Sequence, residues 1–136
     1  MKKTKPLTFL FLFSGSVFGD NLQDGLDAHT RGDYKTAYKL WLPLAEQGNA
    51  KAQYNLGVMY EHSLGVPQDY KTAVKWYRLS AEQGLAIAQS RLGFLHLLGI
   101  RGVQQDYKEA VKWSRLAAEQ GNAIAQYFLG HSYADG

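Results

Sequence analysis

The sequence predicts an all-α fold, a solenoid of stacked helix-turn-helix repeats, and two observations carry that expectation. The phrase Asp-Tyr-Lys opens at Asp33, Asp69 and Asp106, and Ala-Glu-Gln-Gly opens at Ala45, Ala81 and Ala118, both spaced 36 and then 37 residues apart. A fixed period in that range marks an array in which each unit contacts only its neighbours. The second observation is helical spacing inside a unit: Ala73, Trp76, Tyr77, Ser80 and Ala81 fall on one face of an α-helix.

The chain starts with Lys2, Lys3 and Lys5, then an apolar run from Leu7 to Phe13, then the small residues Ser14, Gly15, Ser16 and Gly19. This is the pattern of a secretory signal peptide over residues 1–19, cut after Gly19 or, alternatively, after Ser16. The run falls short of the ~20 apolar residues that span a bilayer, so no stable membrane anchor is expected once the leader is removed. The mature domain, residues 20–136, is then exported, periplasmic or secreted. The formal charge of +3 equals the three leader lysines, so the mature chain is neutral and the pI of about 9.1 reports the leader. Nucleic acid is therefore not an expected partner. With 46% hydrophobic and 20% charged residues the composition is that of a folded protein. The absence of cysteine excludes disulfides, thiol catalysis, thiolate zinc sites and iron–sulfur clusters.

After the leader, residues 21–31 read as the tail of a degenerate helix, with Gly25, Leu26 and His29 to Gly32 leading into Asp33. Three units follow at about 33–68, 69–105 and 106–136, the last incomplete. In each, Asp33, Asp69 or Asp106 is placed to cap a helix, and Gly48, Gly84 or Gly121 to end it in the left-handed conformation. Pro43 stands where Leu79 and Leu116 stand in the sister helices and removes one backbone donor, predicting a kink near Lys39 to Leu42. The second helix of each unit repeats Ala52, Gln53, Leu56, Gly57 and Tyr60 as Ala88, Gln89, Leu92, Gly93 and His96, and as Ala125, Gln126, Leu129, Gly130 and Tyr133. Glycine inside a helix costs about 1 kcal/mol relative to alanine, so its recurrence predicts close backbone approach between paired helices. Trp76, Trp113, Tyr77, Tyr34, Tyr70 and Tyr107 recur and are expected to fill the inter-helix core. Tyr54, Tyr127 and Phe128 vary between units and are candidates for selecting a partner.

Ala-Glu-Gln-Gly, the Ala-x-Ala-Gln that follows it, the Leu-Gly beyond that and Gly-Val-x-x-Asp-Tyr together resemble the Sel-one-like repeat family over about residues 33–136. The resemblance implies a right-handed α-solenoid of the tetratricopeptide superfamily, and a bacterial adaptor that binds another protein or an extended peptide. Some secreted, cysteine-rich relatives are associated with β-lactam binding or hydrolysis, an alternative for which this chain has neither the cysteines nor a convincing nucleophile. Leu129 to Gly136 align with Leu92 to Gly99, so the third unit stops at the start of an inter-repeat loop. Two readings follow: the uncapped end meets a partner or a second copy, or the array is a truncated piece of a longer one.

No catalytic residue, cofactor or metal site is expected. The histidines at 29, 62, 96 and 131 lack metal-ligand spacing, and His96 shares its column with Tyr60 and Tyr133, a packing position. Thr36 with Lys39 and Thr72 with Lys75 imitate a nucleophile–lysine pair, but a catalytic pair is not copied along a repeat, and the third unit replaces the threonine with Glu109.

The strongest surface feature is on the Asp-Tyr-Lys helices. Lys35, Lys71 and Lys108 form one column, Lys39, Lys75 and Lys112 a second, and Leu42, Arg78 and Arg115 a third. Superfamily resemblance places the first helix of each unit on the concave groove, which implies an acidic or carboxylate-bearing extended partner there. Tyr38, standing where Val74 and Val111 stand, is the candidate for partner selection on that face. The plainer alternative is a solvated helix face copied with the repeat, with Arg78 paired to Glu82 and Arg115 to Glu119 along the helix.

Overall fold

The computed structural model describes residues 20–135, with side chains described through 131. The expected leader, 1–19, lies outside the described residues. Seven helices follow one another: α1 over 20–30, α2 Tyr34–Glu46, α3 Ala50–His62, α4 Tyr70–Glu82, α5 Ala86–Leu98, α6 Tyr107–Glu119 and α7 Ala123–Asp135. Each packs on the next in sequence, and α3 on α4 and α5 on α6 pack most extensively. The fold is an all-α solenoid. No described helix is long and apolar enough to cross a membrane.

Caps set the boundaries. Asp33, Asp69 and Asp106 each accept a hydrogen bond from the backbone N–H three residues on, at 3.3, 3.2 and 3.1 Å. Asn49 and Asn122 do the same for α3 and α7 at 2.9 Å, while Leu85 starts α5 without a side-chain cap. Gly48, Gly84 and Gly121 adopt φ of +99°, +94° and +90° at the ends of α2, α4 and α6, the conformation expected of them. Helix α2 runs unbroken through Pro43 to Glu46.

The repeated glutamines tie the units together. Gln53, Gln89 and Gln126 each donate to the carbonyl of Ala45, Ala81 or Ala118 at 3.1 Å, closing the turn before their own helix. Gln83 then reaches back a unit, donating to Gly48 O and Gln53 Oε1 at 2.8 Å. Gln120 does the same with Gly84 O and Gln89 Oε1 at 2.9 Å. The Gln of Ala-Glu-Gln-Gly is thus an inter-unit clasp.

Between these clasps the helices meet at small residues. Ala37, Ala73 and Ala110 are buried, as are Ala52, Ala88 and Ala125. A Cβ on Gly57 would fall 2.5 Å from the Tyr77 ring, one on Gly93 2.7 Å from Ser114 Oγ, and one on Gly25 on the indole of Trp41. Gly25, on α1, therefore plays the part of Gly57 and Gly93 in a unit whose loop to the next helix is shorter. Two apolar clusters result, one around Trp41, Leu44, Leu56 and Met59, the other around Tyr77, Leu92, Leu95 and Trp113.

Two aromatic expectations change. Trp76 is half-buried and packs against the first cluster from outside it, because Tyr77 beside it takes the interior place. Tyr107 is 56% exposed. Its counterparts are covered by the loop that ends their own unit, Tyr34 by Gly65 and Tyr70 by Arg101, whose guanidinium lies 5.8 Å from the ring centre. No such loop follows Tyr107 among the described residues.

The glycine column is testable against itself. Gly57→Ala drives a methyl into a phenol ring that is fully buried, and a net loss of about 1–2 kcal/mol is expected after the gain in helix propensity. Gly130, in the same column of α7, has no atom within 4 Å of the point a Cβ would occupy, so Gly130→Ala should gain up to about 1 kcal/mol. Thermal melts of the two variants should shift in opposite directions.

Candidate functional site

None of the ten residues singled out on the Asp-Tyr-Lys helices lines a hollow. Two adjoining hollows are walled by α1, α3, α5 and α7, with Tyr77 reaching through from α4. The groove expected along the Asp-Tyr-Lys helices is not where these hollows lie. The helix face that carries Lys35, Lys39, Lys71, Lys75, Lys108 and Lys112 is exposed. The lysine columns recur on an exposed face, and the hollows lie against the Ala-x-Ala-Gln helices.

Several of the ten are occupied elsewhere. Tyr38 shares a hydrogen bond of 2.9 Å with the Tyr60 hydroxyl and packs edge-on to its ring, so it belongs to the α2–α3 contact. That hydrogen bond, with burial behind it, pushes the Tyr60 phenol up to about 12. Leu42 packs against the first apolar cluster. Arg78 pairs with Glu109 of the next unit at 3.3 Å, instead of with Glu82, and meets His96 Nε2 at 3.0 Å. Lys112 sits 4.0 Å from Glu109 and 4.7 Å from the centre of the Trp113 ring. Arg115 is exposed on α6. His96 is in the packing position expected of it, 8% exposed, with Nδ1 against the Gln104 carbonyl at 3.2 Å.

The larger hollow has a volume of about 470 Å³. Helix α3 contributes Tyr54, Val58 and His62, α5 contributes Ile87, Ser90, Arg91 and Phe94, and α7 with its approach contributes Asn122, Ile124 and Phe128. The second, about 380 Å³, is walled by Leu22, Gln23 and Leu26 of α1, Lys51, Tyr54 and Asn55 of α3, and Leu85 and Ile87. Tyr54 and Ile87 belong to both, so the two adjoin across α3 and α5. Positions 51, 54, 55 and 58 of α3 lie on one helical stripe, and one period later the stripe reads 87, 90, 91 and 94. It is the stripe left over when 52, 53, 56 and 57 turn to the core.

Behind the larger hollow sits an ion pair. Glu61 is 2% exposed, and its carboxylate accepts from Tyr77 Oη at 2.7 Å, from Arg91 Nε at 2.9 Å and from Arg91 Nη2. Burial pulls the Glu61 carboxyl upward, but the hydrogen bonds from Arg91 and Tyr77 and the guanidinium charge outweigh it, leaving the group below its ordinary value. The same contacts raise Arg91, and burial followed by the Glu61 charge raises Tyr77. Arg91 is 34% exposed and its guanidinium carbon lies 5.0 Å from the centre of the Phe94 ring.

Sequence reasoning flagged Tyr54 and Phe128 and missed Glu61, Ile87 and Arg91. Comparing columns would have found them. Lys51, Ile87 and Ile124 share one column, which Lys51 breaks, Asn55, Arg91 and Phe128 share another, in which all three differ, and Glu61 stands opposite Leu97. Among the described residues no group of three or more acidic, His or Cys side chains is placed to hold a metal ion.

Because the folded state holds Glu61 below its ordinary value, it favours the ionised form. The stabilisation is complete above the ordinary carboxylate range near 4.5 and is lost as pH falls through the lower folded value. Glu61→Gln removes that contribution. Thermal melts taken from neutral pH to below 4.5 should show the wild type losing its advantage over Glu61→Gln in the acid arm.

Comparison with known proteins matches this architecture. The Sel1 repeat model fits residues 19–49, 50–85, 86–122 and 123–136. These segments start at the Ala-x-Ala-Gln helix, pairing α1 with α2, α3 with α4 and α5 with α6. A crystal structure of a Sel1 repeat protein from Oxalobacter formigenes superposes with a TM-score of 0.76 at 36% identity, over 80% of this chain and 44% of that one. A protective antigen present in uropathogenic Escherichia coli strains, displaying an SLR fold, superposes with a TM-score of 0.83 at 39% identity, over 96% of this chain and 29% of that one. This chain thus spans less than half the length of either. No curated protein sequence matches it significantly. With its helix pairs, its glutamine clasps and four matched segments, the chain belongs to the Sel1 repeat family, whose repeats generally mediate protein–protein interaction.

Proposed function

We propose that the chain is a non-catalytic, exported interaction module that captures an extended segment of another protein along the adjoining hollows between α1, α3, α5 and α7. The observation that carries this reading is the set of apolar side chains left uncovered on three of the four helices that wall the hollows, α1, α5 and α7: Leu26, Ile87 and Ile124 are 48%, 48% and 68% exposed. Exposed aliphatics in a concave surface, with Tyr54, Phe94 and Phe128 beside them, are what a binding groove presents and a plain solvated surface does not. The general role of Sel1 repeats in protein interaction supports the same class of function.

A second reading keeps the acidic partner on the opposite face. Lys35, Lys39, Lys71, Lys75 and Lys108 are exposed in columns along α2, α4 and α6, a positive surface suited to an anionic protein. One experiment separates the two. In pull-downs with cross-linking from the native envelope fraction, Ile87→Asp and Tyr54→Ala should each lower capture of the hollow's partner by tenfold or more, with circular dichroism unchanged. Reversal of Lys39, Lys75 and Lys112 to Glu should leave that capture intact. The opposite pattern assigns the contact to the lysine face.

Export is supported by the basic and apolar leader pattern, Lys2, Lys3 and Lys5 ahead of Leu7 to Phe13. Residues 1–19 fused to a reporter that is active only outside the cytoplasm should give activity. Lys2, Lys3 and Lys5 replaced by Glu should abolish it, and a silent unmodified fusion removes export from the proposal.

A further inference from the structure

We infer that Arg91 is a preset recognition point for a carboxylate, so that the segment captured in the larger hollow carries a free carboxylate among apolar side chains. The inference rests on the hollow being the capture site and adds the chemistry of what enters it. Arg91 stands in the wall of that hollow, and its guanidinium is held from two sides. Glu61, 2% exposed, takes Nε and Nη2, and the Phe94 ring lies beneath the guanidinium carbon at 5.0 Å. A guanidinium carries five N–H donors in a rigid fork. Glu61 occupies two of them, and the others belong to a side chain that remains 34% exposed.

The arrangement does what a free surface arginine cannot. A long, mobile cation loses rotamer freedom on meeting a ligand, whereas Arg91 is already ordered by Glu61, and the ordering cost has been met in folding. Glu61 does not fill the site, because its buried carboxylate takes only Nε and Nη2 of Arg91 and accepts its remaining hydrogen bond from the Tyr77 hydroxyl at 2.7 Å. The balance of charge points the same way. Among the side chains that wall the two hollows, Lys51 and Arg91 are the cations and no carboxylate is present. The rest of the wall is dominated by Tyr54, Ile87, Phe94 and Phe128, which suit apolar neighbours of the acidic group.

The test uses the full chain and short synthetic peptides rich in Leu, Ile and Phe, each made in three versions: with one Glu and an amidated C-terminus, with Gln in its place and amidated, and with Gln and a free C-terminus. Binding is read by fluorescence anisotropy at two salt concentrations. The Glu version, the free-terminus version or both should bind about tenfold tighter than the Gln amide, and the margin should shrink as salt rises. Which of the two acidic versions carries the margin tells a side-chain carboxylate from a C-terminal one.

In the double variant Glu61→Gln with Arg91→Gln, which removes both charges together, the margin between the acidic versions and the Gln amide should vanish. In Lys51→Gln the margin should persist. Equal binding of all three versions by the wild type overturns the inference and leaves the hollow as a purely apolar site, and this comparison needs no variant to fold. A margin that survives the double variant, or that disappears with Lys51→Gln, overturns it by moving the carboxylate away from Arg91. No binding by any version overturns the capture site itself, and the inference with it.

Discussion

The solenoid depends on how closely the backbone of each Ala-x-Ala-Gln helix approaches the Asp-Tyr-Lys helix behind it. Gly25, Gly57 and Gly93 permit that approach, and Trp41, Tyr77 and Ser114 stand against them. The three partners differ greatly in size, yet each unit buries one large aromatic: Trp41 in the first, Tyr77 in the second, Trp113 in the third. Where Ser114 leaves room, Trp113 turns in and donates to Glu109 at 2.8 Å, and where Tyr77 fills the gap, the equivalent Trp76 stays half outside. Interior volume is conserved while the side chains that supply it change place, as close packing demands.

Tyr77 is also what joins that packing to the surface. Of the three residues facing the glycines it alone brings a hydroxyl to the back of the hollow, where it meets Glu61. A buried carboxylate is costly unless its lone pairs are used, and Tyr77 with Arg91 uses them. Glu61 comes from α3, Tyr77 from α4 and Arg91 from α5, so the polar cluster spans two successive units and fixes the wall between them. A core substitution at Tyr77 would therefore reach Arg91 without touching the hollow directly.

The repeats, their helices and their caps were legible in the sequence because a copied pattern reinforces itself: Asp33, Asp69 and Asp106 each mean the same thing, and three copies outvote any ambiguity in one. The Asn49 and Asn122 caps were less visible because Leu85 breaks their series. The hollows were less legible for the same reason the fold was clear. Recurrence drew attention to Lys35, Lys71 and Lys108, and recurrence marks what every unit must do, which is to pack or to stay soluble. The residues that wall the hollows lie in columns where the copies disagree. Arg91 against Asn55 and Phe128 is a plain example, and its ion pair with Glu61 joins residues thirty positions apart, a contact that periodicity alone does not encode.

Disagreement between copies is what a binding face requires. In the proposed capture site an extended ligand would meet α3, α5 and α7 in turn, and identical stripes would let it slide by one unit at no loss. Here the stripes differ. Helix α3 offers Lys51, Tyr54, Asn55 and Val58, α5 offers Ile87, Ser90, Arg91 and Phe94, and α7 offers Ile124 and Phe128. Lys51 and Asn55 on α3, a fixed cation at Arg91 on α5 and the apolar pair Ile124 and Phe128 on α7 make the two directions along the proposed groove unequal, and a shift by one unit would set Arg91 against the wrong side chain. Specificity of this kind is a difference in free energy between registers, and the repeat supplies it by holding its core columns constant while letting the outward stripe vary.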